Sequence, residues 1–198
     1  DACGSHGLRA KLPCVYEEVM GVPLIMKVPG VTQAGTETDA LATHVDLATT
    51  LCALGGVDID DAPTLSGVDL SPALADPSAS PRDYVFFSQD AAQSDLIANT
   101  RYAVRGFFDG ETKYARYYGI GGGVDRAGNV DERPKLFGEE AAFEDHDHEW
   151  YEPANDPHEL INLANDVGRK GELREHFNRL LEIELAELGD KADHQGPS

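Results

Sequence analysis

Positive charge is what this sequence has least of. Lys and Arg number 16 against 36 Asp and Glu, a formal net charge of −20. A surface of that sign repels nucleic acid and anionic membranes, so both are excluded as partners. Cysteine is also scarce. The three residues, Cys3, Cys14 and Cys52, cannot build a disulfide framework, and none has metal-ligand spacing. They read as ordinary thiols of a reducing compartment or a buried core. No apolar run approaches the roughly 18 residues of a membrane span. No secretory signal is visible either, so the compartment stays unknown and the reading leans cytoplasmic.

What is present argues for a folded chain. Apolar residues make up 41% of the 198, enough for a real core and too many for disorder. The acidic residues are spread along the whole chain rather than gathered in a tail. That spread suits a protein of high-salt surroundings, where screening relieves self-repulsion.

The organising stretch is residues 1–30. A Gly-rich turn carries His6 and Lys11, followed by Tyr16, Glu17 and Glu18. An apolar run, Val22 to Val28, then ends at Pro29-Gly30 and reads as a buried strand. A loop able to bind an anion, feeding a buried strand, is how α/β enzymes present catalytic groups at a sheet edge. Read on residue chemistry alone, Lys11 is equally a solvated lysine. His6 is equally a residue that braces its own loop.

Residues 43–54 have helical spacing, with Val45, Ala48, Leu51, Cys52 and Leu54 as the apolar positions and Gly55-Gly56 as the stop. His44 and Asp46 at its start are explained by capping and the helix dipole. Residues 76–81 are a turn-rich linker. After it, Asp109-Gly110 between two aromatic-rich runs signals a hairpin whose strands are half-buried. The glycine cluster at 119–123 reads as a flexible loop rather than a phosphate cradle. His146 and His148 lie in an acidic stretch that reads as a solvated loop rather than a metal site. Asp156, Pro157 and Glu159 read as a helix start. A terminal helix carries Leu173, Phe177, Leu180, Leu181, Leu185 and Leu188 on one face, and residues 191–198 form a tail.

Three separated signatures resemble one family. Gly4-Ser5-His6-Gly7-Leu8 with Lys11, Tyr16-Glu17-Glu18 and Val22-Pro23-Leu24-Ile25 resembles the second catalytic segment of the formylglycine-dependent sulfatases, in the alkaline-phosphatase-like superfamily. Leu65-Ser66-Gly67-Val68-Asp69-Leu70-Ser71-Pro72 and Asn155-Asp156-Pro157-His158-Glu159 with Asn162-Leu163-Ala164 are similar to later words of that family, in the same order. The family's nucleophile motif, Cys/Ser-x-Pro-x-Arg, and its calcium-binding Asp-His-Gly or Asp-Asn-Gly word do not occur here.

The resemblance implies an α/β fold class. Residues 1–78 would be the end of a mostly parallel sulfatase core. Residues 83–190 would be a small antiparallel sheet with a C-terminal helix. It implies a sulfuric ester hydrolase acting on a sulfate-ester small molecule or glycan, present here as a C-terminal part. Lys11 and His6 would be its catalytic and substrate-binding residues, and no metal ligand lies in this chain. Ca2+ and the formylglycine nucleophile would come from upstream polypeptide, the N-terminal half being the implied partner. Two other readings stay open: a non-catalytic split half, and a sulfatase-like phosphonate or phosphodiester hydrolase.

Overall fold

The computed structural model describes residues 2–8, 14–57, 65–90, 103–118 and 141–189. Lys11, the glycine cluster at 119–123 and the tail from 191 lie outside the described residues, as do 97–102 of the first hairpin strand. By packing, the chain divides into two units: Asp1–Val22 with Phe86–Ser198, and Pro23–Val85. Among the described residues, no helix is long and apolar enough to cross a membrane.

The first unit is built on an antiparallel sheet. Strands β1 (Val85–Asp90), β2 (Ala103–Phe108), β3 (Lys113–Tyr118) and β4 (Asp147–Tyr151) lie in that order. The Asp109-Gly110 turn joins β2 to β3 in the register Phe108↔Lys113, as the hairpin signal requires. Asp109 Oδ1 accepts from the Glu111 and Thr112 amides at 3.0 and 2.7 Å, which closes the turn.

The half-buried alternation expected of the hairpin is not what forms. Every residue of β3 is buried, and so are five of the six in β2. The reason is that both faces of the sheet are covered. One face presents Phe107, Tyr114, Arg116, His148 and Trp150, set side by side by the registers Phe107↔Tyr114, Tyr114↔Trp150 and Arg116↔His148. Helix α4 (Lys170–Leu188) lies on it. The other face carries Val104, Ala115, Tyr117 and Tyr151, packed with Val15 from the N-terminal stretch and flanked by Tyr16, Met20 and Phe87. The short helical turn α1 (Glu17–Met20) belongs to this layer.

The buried face of α4 differs from the leucine stripe expected of it. Leu173, Phe177, Leu180, Ile183 and Glu184 are buried, whereas Leu181, Leu185 and Leu188 are exposed. Glu184 takes an inward position because it pairs with Arg116, Nη2–Oε2 2.5 Å and Nε–Oε1 3.1 Å. A buried guanidinium needs that carboxylate more than the helix needs another leucine. Each fully buried aliphatic or Phe side chain contributes about 1.5–3 kcal/mol, and four of them hold α4 down.

Two more expectations change. His146 and His148 are not in a solvated loop: His146 is buried, and both rings pack near Phe177, at 5.7 and 6.1 Å. His148 Nε2 donates to the Phe143 carbonyl at 2.9 Å, and Nδ1 lies 2.8 Å from the Tyr114 hydroxyl. Asp156-Pro157 does not start a helix. The chain turns instead, with Asp156 accepting from the Ile161 amide at 2.8 Å, and Glu159 adopts φ 50° with its side chain buried.

The second unit is organised by helix α2 (His44–Leu54) and the short α3 (Ser71–Ala75). Thr43 and Asp46 form a capping box at its start. Asp46 does more than cap. Its carboxylate accepts from the Thr43 amide (2.8 Å), the Val68 amide (2.8 Å), and Arg82 at Nε (3.1 Å) and Nη2 (2.5 Å), and it is fully buried. Thr50 likewise accepts from the Leu70 amide at 2.9 Å. The 65–70 loop thus lies on the polar face of α2. Gly67 is required there, since a Cβ would sit 2.1 Å from the Val45 carbonyl oxygen. The apolar residues expected to be buried, Val45 and Leu51, face outward instead.

Residues 22–28 do not form the expected strand. A strand is made by its ladder partners, and among the described residues none pairs with it. Leu24 and Ile25 are exposed, Ile25 by 92%.

The carboxylate of Asp46 is the most heavily used group of this unit. Asp46→Ala is expected to destabilise it by about 3–5 kcal/mol, because the charge of Arg82 loses its buried counterpart. The measurement is hydrogen exchange at the Val68 and Leu70 amides, which should lose protection. Unchanged protection there would refute the role.

Candidate functional site

The Gly-rich turn is a tight, strained loop. The Gly4 amide donates to the Leu8 carbonyl at 2.7 Å, and the Ser5 amide to that of Ala2 at 2.8 Å. Four of its residues have positive φ: Cys3 (49°), Gly4 (109°), His6 (53°) and Gly7 (72°). Glycine adopts this freely. For His6 it costs roughly 1–3 kcal/mol, so surrounding contacts must hold it.

Those contacts come from the segment that follows. The Tyr16 ring stacks on His6 with centroids 3.6 Å apart and planes 9° from parallel. Glu18 Oε2 lies 3.6 Å from His6 Nε2. The Glu18 carboxyl is held below its ordinary value, first by its own backbone N–H at the start of α1, then by the Ser5 hydroxyl and the His6 charge. His6 itself is largely covered, its side chain 10% exposed.

Beneath the loop the sheet supplies a buried polar layer. The Tyr16 and Tyr151 rings pack with centroids 5.9 Å apart, and burial pushes both phenols above their ordinary value. The Tyr117 hydroxyl donates to Glu149 Oε2 at 2.7 Å. Burial pushes the Glu149 carboxyl up, against the Tyr117 hydrogen bond and the attraction of His6 and Lys113. Burial also raises the Cys14 thiol, which places Cys14 among inert core cysteines rather than reactive ones.

Lys113, buried in β3, completes the layer. Its Nζ sits 2.6 Å from Glu159 Oε1 and 3.0 Å from Glu17 Oε2. Glu159 Oε2 in turn accepts from the Glu17 amide at 2.7 Å. One cation therefore binds three pieces of chain: β3, the start of α1, and the turn after β4.

The two residues expected in the site fare differently. His6 is placed in a structured loop with defined partners. Lys11 lies outside the described residues. Reasoning from sequence missed Lys113, Glu149 and Glu159 as organisers of the loop. The available signals were a lysine inside an aromatic strand and a glutamate in the turn after β4. Among the described residues, no group of three or more His, Cys, Asp or Glu could hold a metal ion. The chain's described residues therefore do not fit a calcium site.

The comparisons with known proteins bear on this arrangement. Residues 4–186 match the family described as N-sulphoglucosamine sulphohydrolase, C-terminal. The chain belongs to that family. The match begins at Gly4 and so takes in the His6 loop as well as the sheet and α4.

Relatives of this sulphohydrolase C-terminal family agree. Over 178 residues, 89% of this chain, it is 26% identical to a Delta 4,5-hexuronate-2-O-sulfatase of Bacteroides thetaiotaomicron. An N-acetylglucosamine-6-O-sulfatase of the same organism is 32% identical over 81 residues, 41% of this chain. The chain spans 31% and 14% of the lengths of these two relatives, respectively. A solved structure described as a 2-O GAG sulfatase superposes with TM-score 0.69 at 25% identity, over 98% of this chain and 36% of that one. Another, solved in complex with its substrate D-glucosamine-2-N,6-O-disulfate, gives TM-score 0.69 at 20% identity over 97% of this chain and 33% of its own. It shows the shared fold.

Glu149 binds its proton more tightly in the folded chain than in the unfolded one. Its contribution to stability is therefore fully present below the ordinary value of 4.5 and is lost as pH rises through the raised folded value. Glu149→Gln should remove that decline. Denaturation followed between about pH 4 and 7 should give the variant a flatter stability profile than wild type. Parallel profiles would mean that Glu149 ionises as it does in water.

Proposed function

We propose that the complete protein to which this chain belongs is a sulfuric ester hydrolase acting on a sulfated sugar. In this reading the chain supplies the C-terminal part of the catalytic domain and the accessory sheet. The observation that carries it is the family match over residues 4–186, which includes the His6 loop. The named relatives act on a hexuronate 2-O-sulfate and an N-acetylglucosamine 6-O-sulfate. A sulfated uronate or amino sugar is therefore the substrate class proposed.

In this proposal Lys11 and His6 face the sulfate group. A lysine ammonium there stabilises charge gathering on the sulfuryl and bridging oxygens as the ester bond breaks. His6 contributes a hydrogen bond to the same anion from a ring that the protein holds still. Formylglycine as nucleophile and calcium as Lewis acid belong to the proposal only as groups held by polypeptide outside this chain.

The partner in this reading is the N-terminal half of the sulfatase domain. The support is the outward apolar surface of the second unit: Leu24, Ile25, Val45, Leu51 and Val57 are all exposed. A segment that joins no strand ladder among the described residues, next to such side chains, is the edge that a parallel sheet would complete.

Two outcomes test the reading. The purified chain alone should not hydrolyse 4-nitrophenyl sulfate, and turnover by it would overturn the need for upstream polypeptide. In the complete protein, Lys11→Ala should lower kcat/KM by about 100-fold or more, the magnitude of losing one oxyanion-type contact. Near-normal kinetics would remove Lys11 from the site.

A further inference from the structure

His6 is not held by its own loop. The loop's hydrogen bonds are between backbone groups of residues 2–8 and leave the imidazole unconstrained. What fixes the ring is the flat stack on Tyr16, 3.6 Å away and 9° from parallel. One face of the imidazole is thereby covered, and Glu18 stands 3.6 Å from Nε2 at its edge. Tilting the ring out of its plane would break the stack, so the plane keeps one orientation, and the contact of Nε2 with Glu18 selects which edge faces that side chain.

Tyr16 is itself anchored. Its neighbour Val15 is fully buried against β2, β3 and β4. Its ring also packs against Tyr151, a buried residue of β4, with centroids 5.9 Å apart. The next residue, Glu17, is tied to the sheet through Lys113 and Glu159. Motion of Tyr16 would have to break all three attachments.

We propose that Tyr16 is the positioning residue of His6, and that the C-terminal sheet, through Tyr151 and Tyr16, sets the orientation of the imidazole toward the substrate's sulfate. This rests on the reading of His6 as a sulfate-site residue. It gives the sheet a role in the reaction: the strand layer is the rigid floor on which a strained loop presents a ring. A site on such a floor is more exact than one on a loop alone, and misplacing a group by about 1 Å costs up to 100-fold in rate.

The test uses the complete protein, with kcat and KM measured on 4-nitrophenyl sulfate. Tyr16→Leu, which removes the stack, should lower kcat/KM by about 10- to 100-fold. Tyr16→Phe, which keeps a ring to stack, should restore most of that loss. In a His6→Ala background, Tyr16→Leu should have almost no further effect, because Tyr16 acts through His6. Glu18→Gln changes a half-exposed side chain and tests the edge contact in a variant expected to fold; its expected effect is a severalfold fall in kcat/KM.

The outcomes separate the two layers of the argument. If His6→Ala retains wild-type kcat/KM, His6 is not in the site and the underlying reading fails. If His6→Ala is impaired while Tyr16→Leu and Glu18→Gln match wild type, only the positioning role is overturned. An equal further loss for Tyr16→Leu with and without His6 would also overturn it, since a purely structural residue costs the same in both backgrounds. Should Tyr16→Leu not fold, the Glu18→Gln kinetics decide.

Discussion

A buried lysine holds the larger unit together. Lys113 is 2% exposed, and an ammonium in that position costs several kcal/mol unless carboxylates surround it. Glu159 and Glu17 answer that demand from opposite ends of the chain, and both contacts are direct. Because neither carboxylate can leave without stranding the charge, the N-terminal stretch is committed to the sheet. So is the turn after β4, where Glu159 accepts a left-handed backbone to reach its partners. The His6 loop, Tyr16 and α1 all inherit their place from this attachment.

The same device recurs wherever segments distant in sequence must meet. Asp46 receives two backbone amides and the Nε and Nη2 edge of the Arg82 guanidinium, which joins the start of α2 to the 65–70 loop and to residue 82. Arg116 and Glu184 lock α4 onto β3. In each case a buried charge is paired with a named partner of opposite charge. Such pairs add less to net stability than apolar contacts would, but removing one member is costly, and that asymmetry selects one arrangement of the segments.

Exposed apolar side chains belong to the same account. In the second unit the polar face of α2 is turned inward, toward a loop whose amides it satisfies, and Val45 and Leu51 are left outside. Leu24 and Ile25, in the extended stretch after α1, are exposed as well. The family relatives are several times longer than this chain, which spans 31% of one of them.

The sequence by itself determined what local chemistry can determine. The hairpin at Asp109-Gly110 needs only a turn residue pair between two apolar runs. The start of α2 needs only Thr43 and Asp46 at capping distance. Helix α4 needs only its period and Gly189. The family signatures were equally legible, being short words in order, and His6 could be named from them. The tertiary structure decided what depends on partners far away in the chain. Whether residues 22–28 form a strand depends on neighbours to pair with. Whether β2 and β3 are half-buried or fully buried depends on what lies on each face. Which leucines of α4 point inward was settled by a single arginine seeking a carboxylate, and Glu159 became a buried ligand of Lys113 instead of a helix-starting acid. A periodic pattern records how much of a segment is apolar; the buried charges, which must be satisfied by specific groups at hydrogen-bond distance, choose the face.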